Sequence, residues 1–126
     1  MNQLTYSHTA SFQKDLKQLL KKYSSLEADL EIVKKNAIEL FHVHKMNNQS
    51  IFPVPKFSSD HCQIHKIKKF ACKALKGKGA KSGIRVIYAY FPVLKKIEFL
   101  EIYYKKSGDT DMDYDRAREY FKVIQG

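Results

Sequence analysis

Hydrophobic positions along the chain change period twice. Phe12, Leu16, Leu19, Leu20 and Tyr23 recur at the spacing of one helical face, predicting a helix from about Ser11 to Tyr23. Ser24-Ser25-Leu26-Glu27 matches a capping box, and Leu26, Leu30, Val33, Ala37, Leu40 and Phe41 continue a second amphipathic helix behind it. So short a join predicts an antiparallel helical hairpin. From Lys45 to Gln63 the periodicity disappears; Asn47-Asn48, Pro53, Pro55 and Ser58-Ser59 predict a long irregular connection.

Beyond that stretch the period becomes two. Ile64 and Ile67, then Phe70 and Cys72, predict a strand whose phase slips at a β-bulge near Lys68-Lys69. Ile84 to Phe91 and Ile97 to Tyr104 predict a β-hairpin turning at Pro92 to Lys96. Both faces of the Arg85 strand are largely apolar, so that strand is expected to be central and covered on each side. Tyr114, Ala117, Phe121 and Ile124 return to helical spacing, with Asp111 or Asp113 as the cap. With an edge strand from Gln3 to Tyr6, the expectation is one α+β domain over residues 1–126: an N-terminal helical hairpin packed on a small twisted antiparallel β-sheet, closed by a C-terminal helix.

Charge adds direction to this outline. The 126 residues carry 23 Lys+Arg against 13 Asp+Glu, a formal net charge of +10, which implies an anionic partner. The excess is localised: no acidic residue lies between Asp60 and Glu98, where Lys66, Lys68, Lys69, Lys73, Lys76, Lys78, Lys81, Arg85, Lys95 and Lys96 fall, and the remainder is neutral overall. Lys73 to Arg85 is a glycine-rich turn carrying cations into a strand, a phosphate-seeking pattern without the spacing of a P-loop. Its bland alternative is a solvated hairpin loop.

Arg85, alone among apolar strand residues, requires a partner; Glu98 or Glu101 could supply a structural ion pair, or the guanidinium points into a cleft. Tyr103, Tyr104, Lys105 and Lys106 put phenols beside ammonium groups, suited to base stacking and phosphate neutralisation or to an ordinary half-buried aromatic ladder. Asp109 to Asp115 begins like an EF-hand but lacks its glycine and closing glutamate, and reads as an acidic helix start. His61, Cys62, His65 and Cys72 match no standard zinc spacing, so no metal or cofactor is expected. Two cysteines form no disulfide framework and the longest apolar run is about half of a membrane span of roughly 20 residues, so a cytoplasmic protein without membrane contact is expected.

Taken in order, the helical hairpin, Lys66-Ile67-Lys68, Ser82-Gly83-Ile84-Arg85-Val86-Ile87-Tyr88 and Ile97 to Lys105 resemble the RelE/ParE superfamily of type II toxin–antitoxin toxins, from about Ser11 to Lys106. The most specific element is the Ser-Gly-x-Arg-hydrophobic-x-Tyr strand following a basic strand. Asp115 to Phe121 also resembles the closing helix of several members. The resemblance implies a toxin that cleaves messenger RNA in the ribosomal A site as a metal-independent endoribonuclease (mRNA interferase).

By the same resemblance Lys66 and Lys68 are the strand lysines, one of them a base, Arg85 holds the phosphate, and Lys105 or Lys106 supplies the cation after the last strand. Tyr103 or Tyr104 stacks on the base; the acid-free charge pattern itself adds Lys69, Lys73, Lys76, Lys78 and Lys81 as expected nucleic-acid-binding residues. The long 45–63 segment and the added lysines allow the alignment of Lys66 and Lys68 to shift toward Lys69, Lys73 or Lys76. Implied partners are a cognate acidic antitoxin, the ribosome and messenger RNA. The ParE branch implies instead a non-enzymatic inhibitor of DNA gyrase, and a plain RNA-binding or inactive toxin homologue is a third reading.

Overall fold

The computed structural model describes residues 3–47, 49–75, 82–106 and 110–125. Its elements follow the order β1 (Thr5–His8), α1 (Ala10–Leu20), α2 (Leu26–Val33), a π-helical stretch (Lys34–Glu39), α3 (Leu40–His42), β2 (Ile51–Ser58), β3 (Gln63–Ile67), β4 (Ile84–Phe91), β5 (Lys96–Tyr104) and α4 (Tyr114–Gln125). The architecture is α+β, with one five-stranded sheet ordered β1-β5-β4-β3-β2.

β4 lies in the middle of that sheet and is buried on both faces, as its double-sided apolar pattern requires. Ile84, Val86, Tyr88 and Tyr90 face a core shared with Phe12, Leu26, Leu30, Val33 and Ile38 of the helical layer. Ile87 and Ala89 face the opposite core, where Val54, Ile64 and Leu100 meet Met112 and Ala117 under α4. A bulge between Ile87 and Tyr88 in the β4–β5 register turns consecutive β5 residues Leu100 and Glu101 toward α4. Where β1 stops short of covering β5, Asp15 accepts from the Ile102 amide at 3.4 Å and Arg116 donates to the Leu100 carbonyl at 3.0 Å. The two side chains also pair with each other at 2.7 Å, tying α1 to α4 around an otherwise open sheet edge.

The structure corrects four expectations. Within the supposed irregular connection, Ile51–Ser58 is an edge strand whose buried residues Ile51, Val54 and Phe57 recur every third position. Pro53 and Pro55 are tolerated because β2 pairs on one side only, with β3. The sheet is mixed, since β1 runs parallel to β5, with Tyr6 opposite Ile97. No bulge interrupts a strand at Lys68-Lys69; β3 ends at Ile67, and the chain leaves with the Lys68 amide on the Ser50 carbonyl at 2.9 Å.

The capping box does not form either. Ser25 holds the N-cap position without a capping bond, and its hydroxyl donates to Asp29 and accepts from the Ala74 amide at 2.8 Å. At the other helices the side-chain caps are Thr9, which accepts from the Phe12 amide at 3.1 Å, and Asp113, which accepts from the Arg116 amide at 3.0 Å.

Candidate functional site

Ser82 and Gly83 open the strand motif that is most specific to the resemblance, and both residues are fixed by the backbone around them. Ser82 Oγ donates to the Phe70 carbonyl at 2.5 Å and accepts from the Ile84 amide at 3.1 Å, clamping the entrance of β4 to the end of the preceding segment. Gly83 has φ +90°, and a Cβ there would stand 2.9 Å from Tyr104 Cε1 and 3.3 Å from the Lys105 carbonyl, so only glycine fits. Its own carbonyl accepts from the Lys105 amide at 2.8 Å. The start of β4 and the end of β5 are thereby locked side by side, which sets where Arg85 and Lys105 stand.

Arg85 pairs in register with Tyr103, on the face that α4 covers. Lys66 pairs with Ile87 on that same face, so Lys66 and Arg85 are diagonal neighbours, a relation that puts residues roughly 7–8 Å apart. Among the described residues Arg85 forms no ion pair with Glu98, Glu101 or any other carboxylate; its guanidinium bonds only the Ile84 carbonyl, at 3.3 Å. The carboxylates are engaged elsewhere: Glu98 accepts from the Tyr120 hydroxyl, and Glu101 accepts from the Asp113 amide at 2.9 Å. Burial raises the Glu101 pKa, against the pull of that amide and of Arg116.

Lys66 does carry a partner. Its Nζ lies 2.8 Å from Asp111 Oδ1, and the Tyr114 hydroxyl donates to Oδ2 of the same carboxylate at 3.3 Å. The Lys66 hydrogen bond leads the contributions that hold Asp111 below the ordinary aspartate range. Tyr103 lies between these charges. Burial first, then Asp111 and Glu101, raise its phenol well above the usual range while Arg85 draws it back, so it is a neutral hydroxyl at physiological pH. Lys68 stands with its ammonium 4.6 Å from the Phe52 ring centroid, and Lys66 and Lys68 line one cleft with Phe52, Pro53, Val54, Pro55 and Tyr114.

Lys66, Lys68, Arg85 and Tyr103 are thus brought onto one side of the sheet, with Lys105 exposed beside the Gly83 turn and Lys106 exposed after it. Others lie apart. Tyr104 packs on the helical side, its ring centroid 5.7 Å from that of Tyr23. Lys73 is anchored there too, its amide donating to Asp29 Oδ2 at 3.2 Å. Lys69 is exposed, and Lys76, Lys78 and Lys81 fall outside the described residues. Cys62 and Cys72 are buried on opposite faces, and the described residues contain no cluster of three metal-ligating side chains.

Three residues of this neighbourhood have no site role expected from the sequence: Asp111, there a candidate helix cap, Phe52 and Tyr114. Asp111 is 45 positions from Lys66, and no local pattern links the two. Phe52 sits in the unrecognised strand. Tyr114 reads only as part of an amphipathic helix, although it is 41% exposed.

No family model and no curated protein matches the chain. Among solved structures the chain is similar to one from the crystal structure of the archaeal RelE–RelB complex of Pyrococcus horikoshii OT3, with a TM-score of 0.51 and 12% sequence identity, over 83% of this chain and 98% of that one. At that identity the likeness is one of fold: the molecule has a RelE-like α+β architecture. Among the described residues, no helix is long and apolar enough to cross a membrane.

Proposed function

We propose that the chain is the toxin of a type II toxin–antitoxin pair and acts as an endoribonuclease on messenger RNA held in the ribosome. The observation that carries this reading is Arg85: a guanidinium on the face shared with Lys66, Lys68 and Tyr103, without a carboxylate partner among the described residues. A guanidinium without a carboxylate partner, on a face shared with two lysines, suits a bidentate anion such as a phosphodiester.

The proposed reaction is attack of a ribose 2′-oxygen on the adjacent phosphorus. The 2′-hydroxyl gives up its proton as the O2′–P bond forms; the P–O5′ bond breaks and the 5′-oxygen takes a proton, leaving a 2′,3′-cyclic phosphate and a 5′-hydroxyl. Arg85 holds the non-bridging oxygens and balances the charge of the phosphorane. Lys66, ion-paired with Asp111 in the free protein, adds positive charge once substrate displaces that carboxylate. Lys68 and Lys105 neutralise flanking phosphates, and the neutral Tyr103 hydroxyl is available as a donor. An acidic segment of an antitoxin that covered this face would satisfy the same cations and block the substrate.

The Lys66–Asp111 pair also favours a second reading, in which the site is electrostatically closed and the chain inhibits DNA gyrase by binding alone. Incubating purified protein with ribosomes programmed with a defined message separates the two. The first reading predicts a cut with a 5′-hydroxyl end that depends on the ribosome; an intact message together with lost gyrase supercoiling selects the second.

A further inference from the structure

Most aromatic side chains of the protein lie in its two cores, but Phe52 and Tyr114 are 36% and 41% exposed and line the same cleft. The cleft, about 120 Å³ in volume, has Phe52, Pro53, Val54 and Pro55 of β2 on one side and Tyr114 at the start of α4 on the other, with Lys66 and Lys68 of the β3 segment between. Phe52 is paired in register with Lys66, so the strand that widens the sheet past β3 brings its aromatic residue next to the lysine of the candidate site.

We propose that this cleft is a stacking subsite for one unpaired base of single-stranded RNA, with Phe52 and Tyr114 as its aromatic walls and Lys68 holding the adjoining phosphate. The proposal deepens the RNA-directed reading above and rests on it: it names where a base would sit relative to the scissile phosphate at Arg85. Aromatic side chains stack on any base, and interleaved cations follow the backbone, which is the combination that binds single strands. Bases inside a duplex are stacked on each other and have no free face to offer.

The chemistry of the cleft decides between occupants. An apolar peptide side chain would have to cover the ammonium of Lys68, 4.6 Å from the Phe52 ring centroid, at a desolvation cost; a phosphate alone would make no use of the aromatic and proline walls. A nucleotide uses both. Asp111 is turned to Lys66 and the Tyr114 hydroxyl, where a phosphate arriving at Lys66 would compete with it.

The test is equilibrium binding of a short 2′-O-methyl oligoribonucleotide, which offers no attacking hydroxyl, and of the same strand carrying one abasic position scanned along it. Phe52→Ala is expected to weaken binding of the intact strand about 5- to 100-fold. Phe52→Tyr should restore it, and with the abasic site in register the Phe52→Ala loss should vanish. Salt adds a second readout: Phe52→Ala leaves the slope of log affinity against log salt unchanged, while Lys68→Ala lowers it by about one. Unfolding midpoints of each variant check the fold.

The proposal is overturned if Phe52→Ala binds like the parent, if its loss is the same on intact and abasic strands, or if no RNA is bound. Message cleavage on programmed ribosomes keeps the two levels apart. Cleavage that is indifferent to Phe52 removes the subsite and spares the nuclease; base-dependent binding without cleavage does the reverse.

Discussion

Acid should destabilise this fold through one buried pair of histidines. His42 and His65 are 6% and 5% exposed, with ring centroids 5.1 Å apart, in an aromatic group with Phe41, Tyr88 and Tyr90. His42 Nε2 is 2.7 Å from the Tyr88 hydroxyl, whereas neither ring nitrogen of His65 has a hydrogen-bond partner among the described residues. Burial, then the neighbouring His65 and Lys45, lower the His42 pKa to about 3; burial alone lowers that of His65 to about 4. Both are therefore neutral in the folded protein, while the unfolded chain takes up protons near 6.5.

Stability from the pair is thus complete above pH 6.5 and declines as the pH falls from there toward the folded values. Between pH about 7.5 and about 5 each histidine removes about 2 kcal/mol, about 4 kcal/mol together, out of the roughly 5–15 kcal/mol typical of a domain. Glu101 works in the opposite sense: its raised pKa makes the folded state bind a proton more readily, so acid adds stability there. Urea unfolding across this pH range, in the parent and in Glu101→Gln, measures the sum.

His65→Phe, which fills the same aromatic surroundings and deletes two unsatisfied nitrogens, should halve the pH dependence and leave stability at neutral pH equal or higher. An unfolding free energy that stays level from pH about 7.5 to about 5, or a His65→Phe protein with the parental slope, would refute the reasoning.

Other expectations follow from single contacts. Gly83→Ala should cost about 1–3 kcal/mol in urea unfolding, since it meets both an unfavourable φ and the Tyr104 ring 2.9 Å away; a loss below about 0.5 kcal/mol contradicts the account of the Ser82-Gly83 clamp. Asp111→Asn releases Lys66 and should tighten binding of single-stranded RNA about 3- to 10-fold at low salt, with less effect at high salt; equal or weaker binding argues against competition between Asp111 and phosphate. Arg116→Ala removes the ion pair to Asp15 and the bond to the Leu100 carbonyl and should lower stability by about 1–2 kcal/mol, read as an unfolding-midpoint shift.

Elements whose information is local were legible in the sequence. The 3.6-residue spacing of Phe12, Leu16 and Leu19 and of Ala117 and Phe121 marks helices that bury those faces, and the apolar residues on both sides of β4 mark the strand that lies between two layers. What escaped depends on partners far along the chain. β2 buries every third residue and contains two prolines because an edge strand with a register shift needs neither strict alternation nor a full set of amides. The parallel pairing of β1 with β5 links residues about 90 positions apart, as Ser7 and Glu98 are, and no periodicity carries that.

At the site, Arg85 and Lys66 could be singled out as cations on strands. Their placement on one face was not legible, because it depends on the register of β3 against β4. The same dependence on tertiary packing turned Tyr104 into a cover for Gly83 and left Tyr103 beside Arg85.

The central claim is that Arg85 waits for a phosphodiester, and the rate of message cleavage on programmed ribosomes reads it directly when the parent is compared with Arg85→Ala and Arg85→Lys. The account predicts ribosome-dependent cleavage by the parent, a fall of about 100-fold or more in Arg85→Ala with its unfolding midpoint within the range of a surface substitution, and partial recovery at most in Arg85→Lys, whose point charge cannot grip two oxygens at once. Cleavage by Arg85→Ala at the parental rate, or an intact message with every protein, would contradict it.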